Sequence, residues 1–521
     1  MGEGIREIDG ASFDVLVVGA GINGASAAQH LAAAGYGVLL VDKGDLGAGT
    51  TSRSSRLLHC GARYFVPGRS MSEFFVQPKK GVIALKMAHA AMRMRAQMKR
   101  TTPERLRSFN WSYPIYRGGR YAAWQFDLAF RLLAALGPSD VPLGYRRMSR
   151  EETLASPLLE WQHDPERLTG AAVMQEFQYT WPERIAVDAA LDARRMGARV
   201  LTYTRVSAMR QEADGRWTAT LAADGETARI SAGMLVNTAG IWIDEVNAMG
   251  AAAPKRRVHG TKGIHIAIRL PERCDDWACV NYSTDDEPLF CAPFEDFHYI
   301  GPSEVNWSGD PDDIAPTEAE IERMVWEADR VLPGMGLTRA DVLFAWAGVR
   351  PLTYGGAAFP KGNRLRVLHD LEGDGMRNAV ALTGGVIMTH RSAAEEIVAA
   401  VHRRIAPSGP ERELSYAGRR FPADPGSPPL ANDSDIRMAD LDAATAEMPR
   451  TLADILFRRL PVGYRADMGR SVVRRAAEAV AQPMGWDADD VEREIAAYHE
   501  TTRALHGLAP VPPSEPERAS A

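Results

Sequence analysis

The segment FDVLVVGAGINGASAAQHLAAAGYGVLLVD, Phe13 to Asp42, restricts what this chain can fold into more than any other stretch does. Asp14 to Val18 is a short branched apolar run that ends in Gly19-Ala20-Gly21-Ile22-Asn23-Gly24. An alanine-rich helical pattern then runs to Gly35-Tyr36-Gly37, and Val38 to Val41 reads as a second strand closing on Asp42. Strand, glycine turn, helix, strand and acid follow one another in the order of a dinucleotide-binding unit. Gly19 allows the tight turn, Gly21 lets a pyrophosphate approach the backbone, and Gly24 lets helix and strand pack closely. The phosphate charge then lies at the helix N-terminus, beside Asn23. A carboxylate at Asp42 accepts hydrogen bonds from an adenosine ribose and repels a 2′-phosphate.

The next stretch, Gly47-Ala48-Gly49-Thr50-Thr51-Ser52-Arg53-Ser54-Ser55, is too polar and glycine-rich to be the second helix of a simple nicotinamide fold. It suits a loop of hydroxyls and backbone amides laid along a pyrophosphate and a flavin. In this order, GAGING, the acid and GTTSRSSRLLHCGARYF resemble the FAD-dependent glycerol-3-phosphate dehydrogenases, a branch of the D-amino-acid-oxidase-like flavoproteins. The resemblance implies an α/β fold: a Rossmann-like FAD-binding domain of the glutathione-reductase type, an interleaved antiparallel β-sheet substrate domain and a small C-terminal helical domain.

On that template the FAD-binding part comprises about 10–80, 165–255 and 340–405, and the substrate part about 81–164 and 256–339. Residues 406–433, rich in Pro, Gly, Ser and charge, read as a linker, 434–507 as the helical domain and 508–521 as a frayed tail. The strand Met234 to Asn237, breaking into Thr238-Ala239-Gly240, matches the family's strand beneath the flavin. Ala379 to Thr383 ends in Gly384-Gly385, which, with a helix following, makes a site for an electronegative edge such as the flavin carbonyl and N1.

A chain of 521 residues with 45% hydrophobic content can bury a large core. A net charge of −6 gives no electrostatic case for nucleic acid. Four cysteines without zinc-type spacing fit a reducing cytoplasm, and no metal site is expected. No window approaches the ~20 apolar residues that cross a bilayer. The basic, methionine-rich helical pattern from Gly81 to Arg100 could rest on anionic lipid, as the family's respiratory members do on the inner face of the cytoplasmic membrane, passing electrons to quinone. The acceptor, quinone or another carrier, and a homodimer are left open.

Oxidising a secondary alcohol with flavin moves a hydride from carbon to N5 while a base takes the hydroxyl proton. The resemblance puts Arg350 of GVRPL over the flavin, where it steadies a developing alkoxide, and points Arg63, Tyr64 and His265 at the substrate. Thr389, after the paired glycines, joins them. His265 is the expected general base, since an imidazole titrates near neutrality; His59 braces the flavin loop. Two departures stand out: Val386 replaces the family's lysine after Gly384-Gly385, and a family arginine falls at His369. Each lost cation removes roughly 1.5–3 kcal/mol of charge-assisted bonding to phosphate, with Arg364, Arg366 or Arg391 as substitutes. The expected activity is oxidation of sn-glycerol 3-phosphate or a related polyol phosphate to the ketone. The alternatives are an unphosphorylated hydroxy acid or amine as substrate, and a flavin-binding protein without turnover.

Overall fold

The computed structural model describes residues 4–62, 78–356, 362–431 and 435–507. Its first sheet is centred on Ser12–Val18, an apolar strand paired in parallel with Val38–Val41 on one side and Glu226–Asn237 on the other, in the register Val15↔Val38 and Val15↔Met234. Arg199–Leu201 extends it in parallel beyond Val38–Val41, and Ala379–Thr383 beyond Glu226–Asn237, with Val367–Asp370 antiparallel at that edge. These central strands are apolar on both faces, as strands covered on both sides must be.

One face is covered by the helices Ile22–Ala33, Pro182–Arg195 and His390–His402. The first is alanine-rich because it is enclosed: Ala25, Ala27, Ala28, Leu31 and Ala32 are buried against the sheet and its two flanking helices. Over the other face lies an antiparallel meander, Arg205–Gln211, Trp217–Ala223 and the first half of Glu226–Asn237. Its Trp217 packs on Leu16, Leu39 and Leu235.

The crossing of helix over strand depends on Gly24. A Cβ there would lie 1.8 Å from the Gly19 carbonyl oxygen and 2.5 Å from Thr238 Oγ1. Thr238 in turn donates its hydroxyl to the Val18 and Gly19 carbonyls at 3.0 Å. Gly19 has φ +96°, a conformation that only glycine adopts at little cost.

The second sheet is largely antiparallel. Val258–Ile268 pairs along its length with Val342–Thr353, and on its other edge with Phe297–Gly301 and Val305–Trp307. The sheet continues through Pro288–Phe294, Trp277–Tyr282, Leu106–Tyr116 and Leu168–Tyr179 to Leu57–Leu58. Two segments expected with the nucleotide-binding part, Leu168–Tyr179 and Val342–Thr353, are thus strands of this second sheet. Both carry apolar runs that fit either sheet, and long-range pairing decides between them.

Helix Glu318–Val331, capped by Thr317, covers the outer face, where Lys262 reaches Glu320. Beyond the first sheet, the segment 406–431 is irregular but held. Gly409 N donates to Gly35 O at 2.8 Å, Arg412 N to Ala33 O at 2.7 Å and Ser408 Oγ to Asp14 at 2.5 Å. The helices Met438–Thr445, Val473–Met484 and Ala488–His506 then bury Leu441, Val473 and Tyr498 in a core shared with Phe294 and Phe344 of the second sheet.

Gly24→Ala is expected to force the helix off the strand at a cost of about 1–3 kcal/mol. Thermal melting of the apoprotein should register a fall of several degrees, and an unchanged melting curve would show that the crossing relaxes freely.

Candidate cofactor and substrate site

The glycine turn and the hydroxyl loop meet at the end of the first sheet. Thr51 Oγ1 accepts the Ile22 N–H at 3.0 Å, joining the loop to the first turn of the helix, and Thr50 Oγ1 donates to the Val349 carbonyl at 3.0 Å. The carboxylate of Asp42 accepts from Ala20 N at 2.6 Å and Gly44 N at 2.8 Å. Burial pushes this carboxyl above its ordinary range, against the pull of the Gly44 and Ala20 amides. A carboxylate has about four lone-pair sites, so two remain after these bonds. Ser54 Oγ accepts the Arg56 amide at 3.2 Å.

The residues fit an extended dinucleotide. Among the described residues, a Cβ on Gly21 would find only Thr51 Oγ1, at 3.4 Å, and one on Gly240 would find nothing within 4 Å, so both backbones are open to close approach. Asn23 Oδ1 and Trp242 Nε1 are buried without a hydrogen-bond partner among the described residues. Buried polar atoms of this kind call for a partner. Ala239, whose amide is held by Asn237 Oδ1 at 3.1 Å, completes this side.

At the other end, Gly384 and Gly385 both have positive φ, +67° and +82°, and turn the chain into helix His390–His402. Thr389 lies inside this turn, its hydroxyl donating to the Val386 carbonyl at 2.8 Å. The Val386 side chain packs towards the helical layer. Cations nevertheless line the turn. Gly385 N donates to the Arg364 carbonyl, and Arg366 lies along Gly385 to reach Thr389 O at 3.1 Å and Ser392 Oγ at 2.6 Å. The Arg364 guanidinium is paired with Glu304.

His369 lies on the edge strand Val367–Asp370. Its Nε2 bonds Thr383 Oγ1 at 2.7 Å, and Arg257 and Asp374 are its charged neighbours. Arg364 lies in the segment against the paired glycines. Arg391 is also elsewhere, donating to Thr101 Oγ1 and lying 3.6 Å over the Tyr416 ring. Sequence reading named Arg364 only as a substitute and missed Glu304; the alternation Arg364-Leu365-Arg366 was the available signal.

On the inner face of the second sheet, Gly263 lies directly opposite Gly348. Both glycines make room. A Cβ on Gly348 would strike the Arg53 carbonyl at 2.8 Å, and one on Gly263 would strike both Nη atoms of Arg350 at 2.9 Å and Ser303 O at 2.5 Å. The hydroxyl loop and the Arg350 guanidinium therefore lie flat against the sheet.

His265, two residues from Gly263, is buried. Its Nε2 bonds Ser55 Oγ at 3.0 Å and its ring stacks on Trp346 at 4.8 Å. Burial, with Arg350 and Arg56 nearby, lowers its pKa to about 3. An imidazole held this low is neutral at pH 7, with a lone pair free to accept a proton but a weak hold on it. Its visible contact is as a brace for Ser55, which Tyr299 also holds by donating its hydroxyl to the Ser55 carbonyl at 2.7 Å. Arg63 and Tyr64 lie outside the described residues. His59 follows the short strand Leu57–Leu58.

Three buried histidines make stability acid-sensitive. His265 and His390 are lowered to about 3 and His30 to about 4, in each case first by burial and then by a neighbouring arginine. Their folded values lie below the unfolded value near 6.5, so the unfolded chain takes up protons first as pH falls. Stability is complete above about pH 6.5 and declines towards pH 3–4, by about 1.4 kcal/mol per pH unit for each histidine. Urea unfolding of the apoprotein at pH 7.5 and 5 should show this loss; equal midpoints would contradict it.

Comparison with known proteins accords with this geometry. Residues 14–399 match the FAD dependent oxidoreductase family. The glycerol-3-phosphate dehydrogenase of Synechocystis sp. is 28% identical over 95% of this chain and 97% of its own length. The D-erythritol 1-phosphate dehydrogenase of Brucella abortus is 29% identical over 73% and 72%. Among solved structures, the glycerol-3-phosphate dehydrogenase of Bacillus halodurans, complexed with FAD, superposes with a TM-score of 0.69 over 98% of both chains at 18% identity. This chain belongs to the FAD dependent oxidoreductases.

Proposed function

We propose that this chain oxidises the secondary hydroxyl of a polyol phosphate, sn-glycerol 3-phosphate or a somewhat longer homologue, to the ketone. The observation that carries this reading is the run of contacts from Arg350 through Gly263 and Ser303 to the Glu304–Arg364 pair, beside the Gly384–Gly385 turn. A planar guanidinium fork suits phosphate, and Arg350 and Arg364 each carry one. The names of the Synechocystis and Brucella relatives, both dehydrogenases of polyol phosphates, support the same substrate class.

FAD, when bound, would supply the acceptor for the hydride that leaves the alcohol carbon, while the hydroxyl proton leaves to water. Asn23, Asp42, Thr51, the open backbones at Gly21 and Gly240 and the paired glycines would hold it. Arg350 stabilises negative charge on the reacting oxygen. Arg364 takes the phosphate. The Ser55–His265 pair fixes the floor of the pocket, and the buried aromatic cluster of Trp346, Tyr299 and Phe290 behind it excludes water.

A peripheral membrane position belongs to the same proposal. Helices Pro78–Thr101 and Ala123–Leu136 pack side by side, with His89 Nδ1 on Leu136 O at 3.0 Å. They expose Val82, Ile83 and Leu85 on one and Trp124, Leu128 and Leu132 on the other, with Lys86, Arg93 and Arg131 exposed as well. Apolar groups among cations suit an anionic lipid surface and a lipid-soluble acceptor such as quinone. No helix among the described residues is long and apolar enough to cross a membrane.

Anaerobic mixing of the yellow holoprotein with glycerol 3-phosphate or erythritol phosphate should bleach the flavin, while hydroxy acids and amines should not. Arg350→Ala should keep the flavin and slow bleaching by about 100-fold or more. Arg364→Ala should raise the KM about tenfold or more. Bleaching by a hydroxy acid or amine alone would overturn the substrate class.

A further inference from the structure

The stretch TLADILFRR, Thr451 to Arg459, ends in two arginines that the fold carries back to the turn after the second strand, Val38–Val41. Asp454–Arg459 winds as one wide π turn, anchored where Trp181 Nε1 donates to the Phe457 carbonyl at 3.1 Å. Arg459, fully buried, grips Asp45 through Nη1 at 2.6 Å and Nη2 at 2.7 Å, and donates Nε to the Glu447 carbonyl at 3.0 Å. Arg458 adds Nε to Asp45 at 2.5 Å and pairs with Asp454.

The other flank of the same turn is tied to the same segment. Tyr203 N donates to Gly44 O at 2.9 Å and Thr204 N to Asp42 O at 2.7 Å, while the Tyr203 hydroxyl donates to Asp454 at 2.7 Å. The turn from Asp42 to Asp45 is thus held from both sides by residues 454–459. Burial alone would raise the Asp45 carboxyl; the Arg459 and Arg458 guanidiniums reverse this and hold it below its ordinary value.

We propose that Arg459, acting through Asp45, is a positioning residue for Asp42, so that a segment 414 residues downstream helps to set the affinity for FAD. The inference rests on the reading of Asp42 as the ribose-binding carboxylate. An apolar pair could supply comparable stability at a buried site. A bidentate fork adds direction: it fixes the turn's orientation, and with it the Asp42 lone pairs left over from Ala20 and Gly44.

The experiment is a double-mutant cycle. Asp45→Asn/Arg459→Met, which removes both charges and leaves Arg458 its partner Asp454, is made with Asp42 intact and in an Asp42→Ala background. FAD affinity of each apoprotein is read by flavin fluorescence titration. With Asp42 intact, Kd should rise about tenfold; with Asp42→Ala it should change by less than about twofold. Arg459→Lys, which keeps the charge but not the fork, should give a smaller rise with the same dependence on Asp42 and covers the case in which the neutral pair does not fold. Equal losses in both backgrounds, or none in either, would overturn the proposal. An Asp42→Ala protein with undiminished affinity would overturn the ribose reading, and the proposal with it.

Discussion

The closeness of helix Ile22–Ala33 to strand Ser12–Val18 is the constraint on which the rest of the molecule depends. It leaves no room for a Cβ on Gly24, because the Gly19 carbonyl and the Thr238 hydroxyl occupy that space. Three segments far apart in sequence are thereby joined at one point: the glycine turn, the helix it opens, and the end of Glu226–Asn237. The helix N-terminus, whose first amides have no partner within the helix, is fixed relative to the backbones of Gly21 and Gly240, which are the surfaces left open.

The second sheet answers this arrangement from the opposite side. Gly263 and Gly348, facing each other across adjacent strands, leave a bare patch onto which the Arg53 backbone and the Arg350 guanidinium press. Side chains at those positions would separate the hydroxyl loop from the sheet and move Ser55 away from His265. Behind the patch, Trp346, Tyr299 and Phe290 are tightly packed, so the floor is rigid. Rigidity of this kind keeps a reacting group within tenths of an ångström of its place.

Local sequence carried a good deal of this. Strand, turn and helix from Asp14 to Ala33 were legible because the requirement for glycine there is steric and local, and the acid at Asp42 because it ends a strand. The allocation of Leu168–Tyr179 and Val342–Thr353 to a sheet was not legible, since an apolar strand is equally suited to either and its partner lies far along the chain. The pairing of Arg364 with Glu304 was not legible either, since the two lie 60 residues apart. The low pKa of His265 could not be foreseen: it arises from enclosure by Trp346 and from the charges of Arg350 and Arg56, none of them its neighbours in sequence. The grip of Arg459 on Asp45 is equally long-range and leaves no local trace.

The pairing of Val15 with Met234 also bears on how the chain is made. Ser12–Val18 is synthesised before its inner partner and cannot pair with it until Asn237 has been made, with Ala379–Thr383 later still. Until then its apolar edge can pair only with Val38–Val41 and lies open to unsuitable neighbours, a condition that favours slow closure and attendance by chaperones.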